Sequence, residues 1–514
     1  MVEGDLRADI SRCWTKLWQE TIEANPNRLQ TRIDTMVETS RKLPVSVKLS
    51  YAFPGASYFI AFNVLALYLI WFFTEAVGLP PAFAGMIASV GILWDAITDP
   101  IIGMWSDNRD PAKGRRRPFM LVVAIPFGLS IWLMFTNFGL SPVMTKVYYI
   151  AIAIMYYTCM TMLDVPYTAL GAEMTTDYDE RSSLANFRNM LSQVANFATA
   201  LIFFILPFFT EKFGSSSAGW SATMAIYGAV ATVAILIGWK ATAGYELSEL
   251  ASHDRITYKD YLAVLKNRPF RNVVYMYSLS ILAMGVVNTV LIYFLFFVGG
   301  LEESQVPIAL MIVFGFSFVF APLINVISQK MSKKAAWVFA MGSWALTLAL
   351  FPLVVIPGMA NPVWGAYAML FLSAFGVTAQ YQVAWSMIPD CVELDEFKTG
   401  HRREGLYYAT ATLIQKVATA LAMAISGYLL GKIGYSEASQ MTPEVANGIK
   451  YLFSLGSSIP LALSALVVVF TPMSRDCHSC LLQAIALKAK GEAYSLDGFR
   501  RLFNNEAEAG IYSD

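Results

Sequence analysis

Apolar stretches long enough to cross a bilayer recur along this 514-residue chain, separated by short polar breaks. A hydrocarbon core about 30 Å thick is crossed by about 20 apolar residues in a helix. Stretches of that kind lie near 47–73, 82–105, 118–137, 147–173, 184–208 and 219–239, then 272–298, 306–328, 336–356, 361–388, 404–430 and 448–471. They predict twelve membrane helices, spans one to twelve, in two sets of six. Between the sets lies the longest polar interruption, with Tyr258, Lys259, Asp260 and the turn-like Asn267-Arg268-Pro269. Ahead of span one, Leu6, Ile10, Trp14, Leu17, Trp18 and Ile22 recur at helical spacing among charges. This pattern predicts an amphipathic helix on the cytoplasmic face or in the lipid interface. No uninterrupted apolar run of secretory-signal length opens the chain. The predicted organisation is a cytoplasmic extension over 1–45, a six-helix half over 46–239, a cytoplasmic linker over 240–271, a second half over 272–471 and a cytoplasmic tail over 472–514.

Composition agrees with an all-α integral membrane protein. Apolar residues make up 56% and charged residues 14%, against about 45–50% and about 25% in soluble proteins. Lys+Arg and Asp+Glu are equal at 37 each, so no net field points to nucleic acid. Five cysteines in this length exclude a disulfide scaffold. Lys and Arg set orientation. The loops after spans two, four, six, eight and ten hold 18, while the loops after odd spans hold Lys146, Lys212 and Lys432, with Lys450 at the start of span twelve. Both termini are therefore expected to be cytoplasmic.

Five ionisable residues lie deep in the spans: Asp95 and Asp99 in span two, Asp164 in span four, Arg188 in span five and Lys416 in span eleven. Each costs at least about 2.5–3.5 kcal/mol to bury and so calls for a reason. Glu75 and Glu173 sit at helix ends, where nearby water is expected to account for them. Asp95 and Asp99 share one helix face about 5–6 Å apart. At an effective dielectric near 20 they repel by about 3 kcal/mol, so either one is protonated or a cation sits between them. Thr98 and Thr161 add hydroxyl oxygens, and Pro100, unable to donate, frees a backbone carbonyl. Three carboxylates against two cations leave one negative charge, which a single Na⁺, Li⁺ or H⁺ neutralises. Oxygen-only ligands suit such a hard cation. The plainer alternative is that the five residues pair to hold helices together.

Other features are read as structural. Gly55, Ala56, Ser57, Gly85 and Gly103 predict close helix approach. Trp14, Trp105, Trp239 and Trp337 lie near span ends, where an anchoring belt is expected. Cys477-His478-Ser479-Cys480 is half of a zinc spacing without a second pair. His253, His401 and His478 all lie outside the spans, so no nucleophile–His arrangement exists at depth. The chain also lacks a phosphate-binding Gly-x-x-x-x-Gly-Lys-Ser/Thr loop for direct ATP drive.

Several motifs resemble one family. Trp94-Asp95-Ala96-Ile97-Thr98-Asp99-Pro100-Ile101-Ile102-Gly103 is similar to the span-two signature of the glycoside–pentoside–hexuronide:cation symporters, the melibiose-permease-like branch of the major facilitator superfamily. Lys48-Leu49-Ser50-Tyr51, Asp164-Val165-Pro166-Tyr167 and Asp179-Glu180-Arg181 leading to Arg188 also match. So do Pro389-Asp390 through Glu396-Phe397-Lys398-Thr399-Gly400 and Arg403-Glu404-Gly405. The resemblance runs from about 45 to 471. It implies the major facilitator fold and a cation site at Asp95, Thr98, Asp99 and Thr161. It implies a substrate pocket lined by Asp164, Arg188, Tyr381, Thr412 and Lys416, and a cytoplasmic gate of Asp390, Glu396 and Arg402. The departures are in the pocket: Tyr58-Phe59 stand where the melibiose carriers have Lys-Asp, and Thr168 stands for a Trp.

The expected function is therefore secondary active symport of a small solute, a sugar or glycoside, with Na⁺, H⁺ or Li⁺, by alternating access in a bacterial inner membrane. The expected protein is a monomer with no cofactor beyond the coupling ion and no nucleic-acid partner. Loss of the sugar-gripping Asp keeps a less polar, lysolipid-like substrate and an anionic, hexuronate-like one open. The sequence also leaves open an uncoupled facilitator or scramblase. An intramembrane Mg²⁺ enzyme is disfavoured, because the spans hold no second carboxylate cluster.

Overall fold

The computed structural model describes residues 42–109, 114–175, 177–246, 258–355, 362–435, 442–490, 492–505 and 508. The expected amphipathic helix before span one, Trp14 and His253 lie outside these residues. Twelve helices are long and apolar enough to cross a membrane. The first six are Val45–Glu75, Pro81–Asp107, Arg117–Met134, Pro142–Glu173, Asp179–Phe213 and Ser216–Ala241. The second six are Arg268–Val298, Val306–Lys330, Lys333–Val354, Pro362–Thr399, Glu404–Lys432 and Pro443–Val469. The all-helical, twelve-span expectation holds.

Helix starts follow local chemistry. Proline occupies the first turn of spans two, four and twelve as Pro81, Pro142 and Pro443, where its missing N–H costs nothing. Ser215, Asn267, Ser332 and Thr442 each accept a first-turn backbone N–H of the following span. Such caps satisfy donors that otherwise have no partner.

Span ten departs from the expected end at 388. The helix runs 38 residues, to Thr399, about 57 Å at 1.5 Å per residue and far longer than a bilayer core. Pro389 and the acidic residues end the apolar run but not the helix. The extra turns emerge on the side of the basic loops, called here the basic end, and Leu394 and Phe397 on them are buried by the C-terminal tail. The tail carries a helix, Arg475–Ala489, whose Cys477, Leu481 and Ala484 pack with Leu496, Phe499 and Leu502 in that second small core.

The halves meet at the far end. A Cβ on Gly85 would lie 2.6 Å from the Met423 carbonyl oxygen and 3.1 Å from Gly427 Cα, so spans two and eleven touch backbone to backbone. Ser89 Oγ donates to the Ala420 carbonyl at 2.7 Å. The hydroxyls of Thr74 and Tyr293 share a hydrogen bond at 2.6 Å, and Trp71 stacks among Tyr293, Phe296 and Phe297. Gly103 makes no comparable approach; a Cβ there would meet only Val165, at 3.7 Å. Trp337 corrects the belt expectation. It is fully buried and donates to Ser464 at 3.1 Å, so it packs span nine on span twelve.

Candidate functional site

Span two presents Asp95 and Asp99 one turn apart toward spans four and eleven. Lys416 Nζ lies 2.6 Å from Asp95 Oδ2 and is ion-paired to Asp99 as well. The expected cation between the two carboxylates is thus a side chain of the opposite half. Thr161 Oγ1 donates to Asp95 Oδ1 at 2.5 Å, and the Thr98 and Thr161 hydroxyls are 3.0 Å apart. The four residues predicted to hold a cation are therefore together. Lys416, predicted to face substrate, is with them.

The local charge is instructive. Two carboxylates and one ammonium leave the Asp95–Asp99–Lys416 cluster at minus one. The Asp95 side chain is only 10% exposed and that of Lys416 17%, while Asp99 keeps 30%. A pair this dry is held against a desolvation cost of several kcal/mol per ion, so removal of Lys416 would leave two carboxylates without their counter-charge. Pro100 has no N–H to offer the Ala96 carbonyl one turn away.

Asp164 and Arg188 form a second, looser couple. They are electrostatic neighbours but, among the described residues, not within ion-pair distance. Arg188 crosses the helix of span one at Gly55, where a Cβ would sit 3.1 Å from its Cγ. It is an electrostatic neighbour of Tyr51, and that ring stacks on Tyr167 at 4.7 Å. Its Nε is buried with no acceptor among the described residues. A buried, unanswered guanidinium donor has a standing cost that an oxygen-bearing ligand relieves.

Of the remaining expected pocket residues, Tyr58 lies within electrostatic reach of Asp164, Asp95 and Asp99 and packs edge-on against Phe59. Thr412 is one helical turn before Lys416. Tyr381 is 46% exposed. The Thr168 hydroxyl is spent on the Asp164 carbonyl at 2.8 Å.

Neutral polar residues that a search for buried charge overlooks join the same interior. Trp385 donates to the Tyr277 hydroxyl at 3.0 Å, and that hydroxyl donates to Gln415, the neighbour of Lys416, at 3.2 Å. Trp385 also stacks on Tyr408 with nearly parallel rings. Asn63 donates to Asn196 at 2.6 Å, and Asn196 to Gln193 at 2.8 Å. These side chains carry no charge, so a reading built on ionisable residues does not mark them.

The predicted gate residues separate. Arg402 pairs with Glu396 at 3.1 Å and with Glu404, whereas Asp390 pairs with Lys333 at 2.7 Å. Arg403–Asp395, at 2.7 Å, is a further pair outside the expected gate of Asp390, Glu396 and Arg402. Glu173, expected to be wet, is buried and met by Arg116 at 3.0 Å. Cys477 is buried in the tail core.

Twelve spans in two halves, joined at mid-depth by an acidic pair and one lysine, define a major facilitator transporter rather than an enzyme. The chain belongs to the MFS/sugar transport protein family, whose model matches residues 50–475. It is 29% identical to an uncharacterized symporter of Synechocystis sp., over 87% of this chain and 97% of that protein. It is 25% identical to a protein of Escherichia coli strain K12 provisionally named a glycoside/cation symporter, YagG, over 82% of this chain and 90% of that one. Among solved structures, a D-xylose–proton symporter superposes with a TM-score of 0.58 over 83% of this chain and 97% of that chain, at 15% identity. That likeness is one of fold. Family and relatives together support cation coupling.

Proposed function

We propose that this transporter couples inflow of a monovalent cation to uptake of a sugar or glycoside across the bacterial inner membrane, with the basic end cytoplasmic. The observation that carries the reading is Lys416 bridging Asp95 and Asp99 across the two halves. The cluster is one positive charge short of neutral, and oxygens of Asp95, Asp99, Thr98 and Thr161 surround the gap. Na⁺, Li⁺ or H⁺ arriving there neutralises the carboxylates and weakens their hold on Lys416. The freed ammonium then faces the space shared with Asp164 and Arg188, where substrate binds.

The far-end contacts of Gly85, Ser89, Thr74 and Trp71 make the present arrangement inward-facing in this orientation. Reorientation breaks those contacts while spans two and eleven keep the site near midplane. Coupling of the two ligands through one lysine is reciprocal, with a free energy of about 1–3 kcal/mol. The second reading, an anionic sugar, is favoured by the unpaired Nε of Arg188, since a guanidinium binds a carboxylate or sulfonate in two-pronged fashion.

The test is uptake into proteoliposomes of neutral glycosides, pentosides and hexuronates under imposed Na⁺, Li⁺ or H⁺ gradients. Accumulation above the external concentration, dependent on one cation, is expected. Equilibration at the same rate without any gradient would make the protein an uncoupled facilitator.

A further inference from the structure

A wide cavity lies away from the Asp95–Lys416 cluster, at the basic end of the second half. It measures about 960 Å³ and is walled by span eight, the start of span nine, span ten and the tail. It shares no residue with the cation or substrate sites proposed above.

Its cations are unevenly answered. Lys333 is satisfied by Asp390 at 2.7 Å and by the Ser386 carbonyl. His478 is bonded to Glu393. Lys334 and Arg475 also line the cavity, but they donate to backbone carbonyls: Lys334 to that of Thr471, and Arg475 to that of Gln329 at 3.0 Å. Among the described residues neither has a carboxylate within ion-pair distance. Arg501, an electrostatic neighbour of Lys334, donates to the Ser474 hydroxyl on the same rim. Asp476 is next to Arg475 in sequence but does not line the cavity.

Two helix starts converge there as well. Ser332 caps span nine and Ser474 caps the tail helix, and both line the cavity. Each start adds partial positive charge. Neutral hydrogen-bonding groups of Asn325, Gln329 and Gln382 complete the wall. Two lining cations without counter-charge among the described residues, a third, Arg501, held at the rim by Ser474, two helix N-termini and a concave volume of ligand size describe an anion receptor.

We propose that this cavity binds a phosphate-bearing anion, gripped by Lys334, Arg475 and Arg501, and that binding clamps the tail to spans eight and nine. The shared chemistry is a phosphate ester, supplied either by a soluble metabolite or by the headgroup of an acidic lipid in the adjoining leaflet.

The experiment uses the full chain purified in neutral detergent at low ionic strength, with thermal unfolding as the readout. Pyrophosphate is the soluble probe, phosphatidylglycerol the lipid probe and phosphatidylcholine the control. A saturable rise in the unfolding midpoint with either of the first two is expected, and which one acts identifies the source. In Lys334→Gln/Arg475→Gln the apparent affinity should fall at least about tenfold, the effect of losing charge-assisted hydrogen bonds. Should the double variant aggregate, Arg475→Gln alone is expected to weaken binding and Arg475→Lys to recover part of it. No saturable shift with pyrophosphate or phosphatidylglycerol, or an undiminished shift in the Gln variants, overturns the proposal.

Discussion

Lys416 Nζ stands 2.6 Å from Asp95 Oδ2 across the boundary between the two halves. Asp95→Asn or Asp99→Asn should remove the net charge that attracts the coupling ion. We expect each variant to remain monodisperse on gel filtration while cation-stimulated uptake falls at least about tenfold, a loss of about 1.4 kcal/mol. Unchanged uptake with unchanged ion dependence in both variants would exclude this cluster as the ion site.

Lys416→Gln tests the opposite sign. Without the competing ammonium the carboxylate pair should bind cation more tightly, by about tenfold or more, because removing the partner of a buried ion pair leaves an uncompensated charge. Titration of intrinsic Trp fluorescence with Na⁺, Li⁺ and at stepped pH would measure it. Concentrative uptake should be lost at the same time, since nothing then passes the ion's arrival on to the substrate.

Gly427→Val should prise the far ends of spans two and eleven apart. A Cβ at Gly427 already lies 2.6 Å from the Pro81 carbonyl oxygen, and overpacking of this kind costs about 1–3 kcal/mol. A cysteine introduced at the buried Ser89 should therefore react with an impermeant thiol reagent at least about fivefold faster in this background than in native Gly427.

Tail docking should weaken as pH rises. The Glu393 carboxylate bonded to His478 holds its imidazole above the ordinary histidine value, with Asp390 adding to the effect and Lys333 opposing it. A raised folded-state value contributes stability that is complete below the unfolded value, about 6.5, and is lost as pH climbs through the folded one. Proteolysis of the tail should accelerate over that window in the native chain, with the pH dependence flattened in His478→Gln.

The spans were legible because runs of about twenty apolar residues are what a bilayer demands and what a soluble core rarely needs. Both deep carboxylates of span two stood out against that background. What the sequence could not show was who answers them. Lys416 is 317 positions from Asp99, and nothing local marks it as a counter-ion rather than a substrate ligand. The end of span ten was hidden for a related reason. Pro389 and the acidic run signal the end of the apolar stretch, but helix and membrane need not stop together when a tail covers Leu394 and Phe397. Trp337 shows the same limit, since a residue near a predicted span end can face either lipid or a neighbouring helix. Asn63, Asn196, Tyr277 and Gln415 escape notice because they carry no charge, and one isolated polar residue does not interrupt an apolar run of about twenty.

The lysine between the two carboxylates has an electrical consequence in the proposed cycle. The loaded cluster is neutral, whereas the unloaded one keeps a charge of minus one. Membrane voltage therefore acts on the empty carrier as it turns back, with about 2.3 kcal/mol available per 100 mV for a full crossing of that charge. An interior-negative potential speeds this return step and leaves the loaded step nearly indifferent. Energising the membrane should accordingly raise the maximal turnover of the carrier more than its apparent affinity for substrate.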